Sequence, residues 1–448
     1  MLVTMCVGYF LVLLDVTIVN VALPQIGSGL HTQVSGLQWV VDAYALALAA
    51  LMLAGGTIGD LRGHKRVVLI GLAVFGLGSL GCALAPNVAA LIAGRAMQGV
   101  GAALLLPGTL AIVSQTFPDR RAQARAIGVW AGVGSLALPA GPLLGGALIA
   151  AFGWRAVFMI NVPIVLLAIA ACVVVVKESA QPGTRRLDAA GAVLGALFLL
   201  ALTFAFIERG RSGVARPGVV IAAACSVALL SAFVLVERRR GEQAMLPLAL
   251  FRHRAFSAAN AAAGAMNLGT LGTLFVLTLF LQSVQHRSAL NAGLSLVPLF
   301  APLAILAPLA GRLTSRIGSR LPTVAGLTVA AGGLALLLPA DAGSGYLVLL
   351  PAFLLWGIGI GVLTPAVVAA AIAAVPERRE GLASAVNNTA RQAAGAIGIA
   401  VAGAMAGQPG NAGFTAGFHT VALLAACLYV LTAAAARFLI PGKQAAAG

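Results

Sequence analysis

Long apolar stretches separated by short polar segments run through the whole chain. Each stretch has close to the twenty residues that an α-helix needs to cross a hydrocarbon core of roughly 30 Å. A soluble chain of this length would instead show shorter amphipathic patterns. The pattern predicts an all-α integral membrane protein with about fourteen transmembrane helices. The windows lie near 3–24, 37–59, 67–86, 89–114, 124–151, 157–176, 188–207, 217–236, 255–281, 291–311, 322–340, 346–375, 382–407 and 415–440.

Composition agrees with this and excludes a large soluble protein. Hydrophobic residues make up 60% of the 448 residues, charged residues only 9%, and the mean hydropathy is +1.02. A soluble chain carries about a quarter charged residues. The net charge of +16 would suit nucleic acid, but the basic residues fall between the apolar windows, where topology signals lie. No nucleic-acid partner is therefore expected.

The sequence carries no pattern typical of catalysis or metal binding. The five cysteines and five histidines are scattered along the chain, and no phosphate-binding Walker loop occurs. The chain is therefore predicted not to be an enzyme and to hold no metal.

The distribution of Lys and Arg predicts the orientation. If the N-terminus is inside, about 22 of the 28 basic residues fall on the cytoplasmic side, among them Arg62, Lys65 and Arg66. Both termini are therefore predicted to be cytoplasmic. Arg-rich basic usage with abundant Ala and Gly suggests a high-GC bacterium, so the inner (plasma) membrane is the expected location.

A weak internal repeat predicts how the helices are grouped. The loop at 56–66 is echoed at 311–320, and the loop at 117–126 is echoed at 375–385. Both pairs are offset by about 255 residues, whereas six helices need only about 190, so one extra helix pair lies between two six-helix halves. The predicted domains are an N-terminal six-helix bundle at 1–180, an inserted two-helix linker at 181–240, and a cytoplasmic connection with a C-terminal six-helix bundle at 241–448.

Six motifs occur in order along the chain: LDVTIVNVALP at 14–24, GTIGDLRGHKR at 56–66, LIAGRAMQGVGAA at 91–103, GPLLGG at 141–146, WRAVFMINVP at 154–163 and GLASAVNNTARQ at 381–392. Their order and spacing resemble the fourteen-helix drug:proton antiporter family of the major facilitator superfamily, with departures at Leu61 and His64. The resemblance implies two pseudo-symmetric six-helix bundles around a central cavity. It also implies a transporter that is driven by the proton gradient and needs no cofactor.

Two charged residues lie deep inside apolar windows. A charged side chain such as Asp15 costs roughly 2.5–3.5 kcal/mol at the centre of a bilayer. Asp15 either binds and releases a proton in a water-filled cavity or only hydrogen-bonds neighbouring helices. Arg95 needs a carboxylate or helix-end carbonyls as partners. By resemblance it takes part in proton coupling, and the alternative is a structural clamp.

Polar residues in several windows are candidates for the substrate cavity. Asp42 lies near the outer end of its window, where it either binds a cationic substrate or extends to the exterior. Gln98 lies one turn from Arg95 on the same helix face. The asparagines either contact substrate or hydrogen-bond between helices. The candidates are Asp42, Gln98, Asn260, Asn267, Asn387 and Asn388.

Two further motifs suggest moving parts. Small residues four apart, with a proline between them, permit close helix approach and a local bend, which suits either plain packing or a rocking segment. These residues, which resemble the antiporter motif, are Gly141, Pro142, Gly145 and Gly146. The cytoplasmic gating loop consists of Asp60, Gly63, Lys65 and Arg66. It is a positive-inside turn, and by resemblance Asp60 pairs with a neighbouring helix in one transport state.

The sequence thus predicts a monomeric secondary active transporter that exports lipophilic or amphipathic drugs or antibiotics in exchange for protons by alternating access. One alternative is a proton-coupled exporter or importer of an endogenous metabolite. A remote alternative is a membrane scaffold or sensor that transports nothing.

Overall fold

The long elements of the protein are α-helices. The computed structural model describes residues 1–117, 119–178, 188–212, 216–241, 244–376 and 379–442. Two short segments add a 3-10 helix at Leu248–Arg252 and a π-helical turn at Phe280–Val284. The α-helices are α1 (Leu2–Gly29), α2 (Val34–Arg62), α3 (His64–Ala83), α4 (Val88–Thr116), α5 (Arg120–Phe152), α6 (Ala156–Met159), α7 (Asn161–Val175), α8 (Ala189–Ser212), α9 (Pro217–Arg240), α10 (Arg254–Leu279), α11 (Ala289–Ile317), α12 (Arg320–Ala335), α13 (Tyr346–Ala373), α14 (Glu380–Ala406) and α15 (Phe414–Leu439).

Most of these helices have the length and composition of membrane spans. Within the described residues twelve spans qualify, with α6 and α7 together forming one of them. The two remaining long helices are α12, which has only sixteen residues, and α14, which carries several polar side chains. Together they give fourteen long helical segments in the described part of the chain, as the apolar windows predict.

The polar interruptions of the sequence form the helix ends. Asn87 accepts a hydrogen bond from Ala90 N (2.9 Å) and caps α4, while Asp119 accepts from Ala122 N (2.8 Å) and caps α5. Gly63 stands between α2 and α3 with φ of +93°, a conformation that favours glycine. Short polar signals therefore separate helices that are otherwise apolar.

The described chain packs into two compact units. The first comprises 1–246 and 288–294, and the second comprises 247–287 and 295–448. Helices α8 and α9 belong to the first unit, in which α8 packs along α2. The three-part domain division stays a prediction, and its first boundary, between 180 and 181, lies outside the described residues.

The connection after α9 is tied to the helix pair α8 and α9. Asp188 caps α8 through Gly191 N (2.7 Å), and it accepts hydrogen bonds from Arg240 Nη1 (2.6 Å) and Met245 N (3.2 Å). Glu237 accepts a hydrogen bond from Leu246 N at 2.8 Å. These contacts hold Met245 and Leu246 against helices of the first unit.

Glycine faces bring helices into close contact inside each unit. In the second unit, a Cβ on Gly326 would lie 2.8 Å from the carbonyl oxygen of Gly359, and a Cβ on Gly333 would overlap the backbone of Trp356. Helices α12 and α13 therefore touch backbone to backbone, an approach that larger side chains would prevent. This dense packing places buried side chains with little freedom to move.

Candidate functional site

The arginine of the fourth-helix motif is brought to its partners by the glycines around it. A Cβ on Gly99 would overlap the carbonyl oxygen of Tyr44 on α2, and a Cβ on Gly94 would lie 2.7 Å from Cys82 Sγ on α3. Because only glycine fits at both positions, α4 lies against both helices at once. Arg95, next to Gly94, is only 1% exposed and lies inside the first unit.

Arg95 and Asp15 form an ion pair that is buried completely. Arg95 Nη1 donates to Asp15 Oδ2, and the two side chains are 1% and 0% exposed. Arg95 also donates from Nε to Val40 O (3.0 Å) and from Nη1 to Gln98 Oε1 (2.9 Å), and its guanidinium carbon lies 4.4 Å from the ring centre of Tyr44. Both charges thus have the compensation that burial requires.

Three uncharged polar side chains complete this site. Gln98 Nε2 donates to Asp15 Oδ1 (3.1 Å) and to Ser79 Oγ (2.7 Å). Asn161 Nδ2 lies 3.4 Å from both Asp15 Oδ1 and Ser79 Oγ. We call these five residues, which come from α1, α3, α4 and α7, the polar cluster.

One acceptor of the polar cluster is left unused. Asn161 is fully buried, and its Oδ1 has no hydrogen-bond partner among the described residues. An amide offers both donors and an acceptor, so Asn161 has a spare acceptor beside Asp15. A buried acceptor without a partner costs free energy and requires an explanation.

Sequence reasoning missed Ser79 and Asn161. Asn161 is the first residue of α7, which begins after a break in the helix at Ile160. A signal existed, because Asn161 is a polar residue inside an apolar window two positions before a proline. No sequence feature distinguishes Ser79, since serine is common in apolar helices.

The carboxyl of Asp42 is buried without a partner. Its side chain is 0% exposed, and neither oxygen has a hydrogen-bond partner in the part of the chain that the structure describes. Of the two interpretations of Asp42, extension to the exterior does not hold in this structure, because the carboxyl does not reach the surface. A carboxylate in such a place needs a proton or a bound cation as its counter-charge.

The four predicted asparagines lie in the second unit on α10 and α14. Asn260 donates to Phe256 O in its own helix (2.8 Å), and Asn387 Nδ2 lies 3.4 Å from Asn260 Oδ1. Asn387 is fully buried, whereas Asn267 and Asn388 are half-buried. The structure thus joins Asn260 to Asn387 in one interhelical pair. Of the predicted cavity residues, Asp42 and Gln98 lie in the first unit.

The glycine motif of α5 packs against α1. A Cβ on Gly141 would overlap Thr17 Oγ1, and a Cβ on Gly145 would lie 2.9 Å from Ile18 Cγ1. Thr17 itself donates to Leu14 O (3.2 Å), so its hydroxyl is held in a fixed position. The two helices therefore depend on the absence of side chains at Gly141 and Gly145 for their distance.

The same motif also touches the first turn of α11, which belongs to the first unit. A Cβ on Gly146 would lie 2.7 Å from Leu290 Cα. A Cβ on Gly293 would overlap the carbonyl oxygen of Pro142. Close contacts thus surround the motif on two sides, from α1 and from α11.

The cytoplasmic gating loop spans the end of α2 and the start of α3. Asp60, in the last turn of α2, contacts His64 Nε2 at 3.3 Å, so its partner is the first residue of α3, four positions further along the same sequence motif. His64 is one of the departures from the family pattern, and Leu61, the other, offers no charge to Asp60. In this structure the acidic residue of the loop is therefore engaged locally.

Contact with the neighbouring helix comes from the basic residues. Lys65 Nζ donates to Val173 O on α7 (2.9 Å), and Arg66 Nε lies 3.7 Å from Glu178 Oε2. Glu178 also accepts from Lys65 N (3.2 Å), near the N-terminus of α3, where a negative charge is favoured. Sequence reasoning missed Glu178, and a Cβ on Gly63 would overlap its carboxylate.

A bundle of membrane-length helices with an ion pair buried among them defines a polytopic membrane protein. In the described residues, no group of three or more His, Cys, Asp or Glu side chains is arranged to hold a metal. The family model described as Major Facilitator Superfamily matches residues 5–399. The chain belongs to the Major Facilitator Superfamily.

Curated relatives cover most of the chain. The multidrug resistance protein Stp of Mycobacterium tuberculosis is 37% identical over 398 residues, which are 89% of this chain and 74% of that protein. The methylenomycin A resistance protein of Bacillus subtilis is 34% identical over 90% of this chain and 86% of its own length. The lincomycin resistance protein of Streptomyces lincolnensis is 34% identical over 99% of this chain and 93% of its own length.

A solved structure supports the fold. A chain from a study of substrate recognition in proton dependent oligopeptide transporters matches with a TM-score of 0.66. The match covers 97% of both chains at 14% sequence identity. At this identity the likeness shows the all-helical fold alone.

Proposed function

We propose that this protein is a secondary active transporter of the bacterial inner membrane that exports lipophilic or amphipathic antibiotics in exchange for protons. The observation that carries the proposal is the fully buried pair of Asp15 and Arg95 inside a unit of apolar helices. Ionisable residues inside membrane segments are costly and mark ion or proton pathways in transporters. The direction of transport, which is export, and the class of cargo are proposed from the similarity of the chain to resistance proteins.

In this proposal Asp15 is the proton carrier and Arg95 responds to its charge. A proton on Asp15 removes the counter-charge of the guanidinium. Its remaining partners, Val40 O, Gln98 Oε1 and the rings of Tyr44 and Phe158, carry no full charge. Because an incompletely compensated buried charge is unfavourable, α1 and α4 then favour another packing. Proton binding thereby biases a conformational equilibrium.

Asn161 positions the carboxyl of Asp15 in both protonation states. While Asp15 is ionised, Asn161 Nδ2 donates toward its Oδ1. Once Asp15 is protonated, its new O–H group needs an acceptor, and the unused Oδ1 of Asn161 provides one after the amide rotates. This arrangement explains why a buried amide oxygen stands without a partner next to the ion pair.

The proposal extends to the architecture. Two pseudo-symmetric six-helix bundles with an inserted pair alternate access to a central cavity, both termini are cytoplasmic, and the protein acts as a monomer. The support for this is the repeat offset of about 255 residues and the placement of basic residues along the sequence. The driving force is the proton gradient, in which each proton supplies roughly 2.3 kcal/mol per 100 mV of membrane potential. The chain performs no covalent chemistry of its own.

Asp42 is proposed to hold the cationic group of a charged cargo. The support is its unpaired, buried carboxyl. The variant Asp42→Asn should lose protection against cationic compounds and keep protection against neutral ones. Equal loss of both classes would instead assign Asp42 to proton transfer, and no loss of either would remove it from the mechanism.

The function is tested by a susceptibility screen in an efflux-deficient bacterial host. The first compounds are methylenomycin A and lincomycin, which are named by two relatives, followed by a panel of lipophilic dyes and antibiotics. We expect the protein to raise the inhibitory concentration of at least one compound, and a protonophore to abolish cellular export of that compound. Export that survives collapse of the proton gradient would contradict the proposal.

The competing function is import or export of an endogenous metabolite. In right-side-out vesicles, an antiporter that exports drugs moves protons inward when cargo moves outward. Cargo and protons that move in the same direction would favour the importer. A protein that moves no tested compound and no protons would favour the scaffold.

A further inference from the structure

The second unit has an open groove at the ends of three helices. It lies where α11 ends, α12 begins and α15 ends, and its volume is about 630 Å³. All of its walls belong to the second unit, and none of them contributes to the polar cluster. The lining residues are Ile317, Arg320, Leu321, Val324, Arg437, Phe438 and Gly442.

Positive charge lines one part of the groove. Arg320 and Arg437 are both exposed, and neither is paired with a carboxylate among the described residues. Acidic residues are scarce here, because residues 247–448 contain only Asp341, Glu377 and Glu380. Among the described residues no carboxylate pairs with the two guanidiniums, which leaves them open there to an anion from outside the protein.

The helix end adds to this preference for an anion. Arg320 is the first residue of α12, and Ser319, at the N-cap position, makes no side-chain capping bond. The N–H groups of Arg320 and Leu321 therefore receive no cap from Ser319, while Pro322 has no N–H, and the helix dipole places partial positive charge at this end. A phosphate near Arg320 could accept hydrogen bonds from these N–H groups and would interact favourably with the helix dipole.

The rest of the groove is apolar and faces outward. Leu321 is 62% exposed and Phe438 is 83% exposed, although both are large hydrophobic side chains. Ile317 and Val324 continue the same wall. An apolar wall beside two arginines at a helix end matches a ligand with a charged head and a hydrocarbon tail.

We propose that this groove binds a phospholipid with an anionic headgroup. The phosphate lies between Arg320 and Arg437, and an acyl chain lies along Leu321 and Phe438. Arginine suits this role because its planar guanidinium pairs with phosphate in a bidentate manner. The proposal commits to lipid and not to free phosphate, because free phosphate would leave the apolar wall unused. It does not depend on the direction of transport or on the cargo.

The test is native mass spectrometry of the purified full chain titrated with phosphatidylglycerol. Phosphatidylcholine with the same acyl chains reports on the charge, and glycerol phosphate reports on the headgroup alone. We expect the wild type to retain phosphatidylglycerol in preference to both. The variant Arg320→Gln with Arg437→Gln should weaken phosphatidylglycerol binding about tenfold or more, because two contacts with the anionic headgroup are lost.

The matched control is Arg312→Gln with Arg316→Gln. These two arginines lie near the C-terminal end of α11, close to the groove. Both are exposed, and neither lines the groove. The control removes the same amount of charge as the groove variant. Because it does so outside the groove, lipid binding should stay within about twofold of wild type. If the double groove variant fails to fold, Arg320→Gln and Arg437→Gln taken singly provide the same comparison.

Three results would overturn the proposal. The first is equal retention of phosphatidylglycerol and phosphatidylcholine by the wild type. The second is an equal effect of the control and groove variants, which would indicate general surface charge. The third is glycerol phosphate that binds as tightly as the lipid, which would make the site one for free phosphate.

Discussion

At the scale of the residue, the buried guanidinium of Arg95 depends on a specific set of partners. It donates from two different nitrogens to a carboxylate, an amide oxygen and a main-chain carbonyl, and it lies against the ring of Tyr44. Lysine has one compact charge and could not reach all these acceptors. The polar cluster is therefore one coupled unit whose members cannot be removed one at a time without consequence.

The coupling of Asp15 and Arg95 makes the stability of their variants non-additive. Arg95→Gln leaves a buried carboxylate without its counter-charge, which costs about 3 kcal/mol or more. The double variant Asp15→Asn with Arg95→Gln leaves no charge unpaired, so it should melt at a higher temperature than Arg95→Gln alone. Thermal unfolding in detergent measures this order. Losses in Tm that simply add would argue against a coupled pair.

Asn161 is expected to act through Asp15 and not merely through packing. Asn161→Leu keeps the side-chain size but removes both the donor and the unused acceptor. We expect normal folding but substrate-induced proton movement at least about tenfold slower, with an altered pH profile, because loss of a proton-transfer partner has effects of this size.

The control for Asn161 is Thr109→Val. Thr109 is equally buried in the same unit, but its hydroxyl bonds only to Leu106 O in its own helix (3.2 Å). It should leave the pH profile unchanged. Identical profiles for wild type and Asn161→Leu would remove Asn161 from the mechanism.

At the scale of the element, the helices are predictable and their contacts are not. Apolar length alone decides which segments cross a membrane, so the windows predict the long helices well. A helix that is apolar all round has no amphipathic face, and the sequence cannot tell which side meets a neighbour. Arg95 and Gln98 could be placed on one face, but Asp15 meets Arg95 across 80 positions of sequence. The contacts of Asn161 and Glu178 were not predicted either, because they too join residues far apart in the sequence.

The glycines of α5 allow a direct test of the packing between helices. Gly141→Ala places a methyl group against Thr17, so we expect a loss of about 1–3 kcal/mol. Gly132→Ala on the same helix is the control, because nothing lies within 4 Å of its Cβ, and alanine favours helix by up to about 1 kcal/mol. We expect the Tm of Gly141→Ala to fall and the Tm of Gly132→Ala to stay the same or rise. A Gly141→Ala protein as stable as Gly132→Ala would show that the helix spacing is not limiting.

At the scale of the whole molecule, two kinds of information converge. The superfamily is shown by the match over 5–399 and by relatives that cover most of the chain, while the solved transporter structure at 14% identity supports only the fold. The location of charge inside the first unit is a property of this chain itself. In the proposed mechanism, the link from that charge to proton movement depends on a single carboxyl, that of Asp15.

The most direct measurement is substrate-induced proton movement in proteoliposomes that contain the Asp15→Asn variant. The substrate is the compound that gives the strongest protection in the susceptibility screen. Asn keeps an oxygen for Arg95, so the variant should insert and fold, and Asp119→Asn, outside the polar cluster, serves as the matched control. We expect Asp15→Asn to lose substrate-induced proton movement and the control to retain it. Coupled transport at the parental rate in Asp15→Asn would contradict the role of Asp15 as the proton carrier.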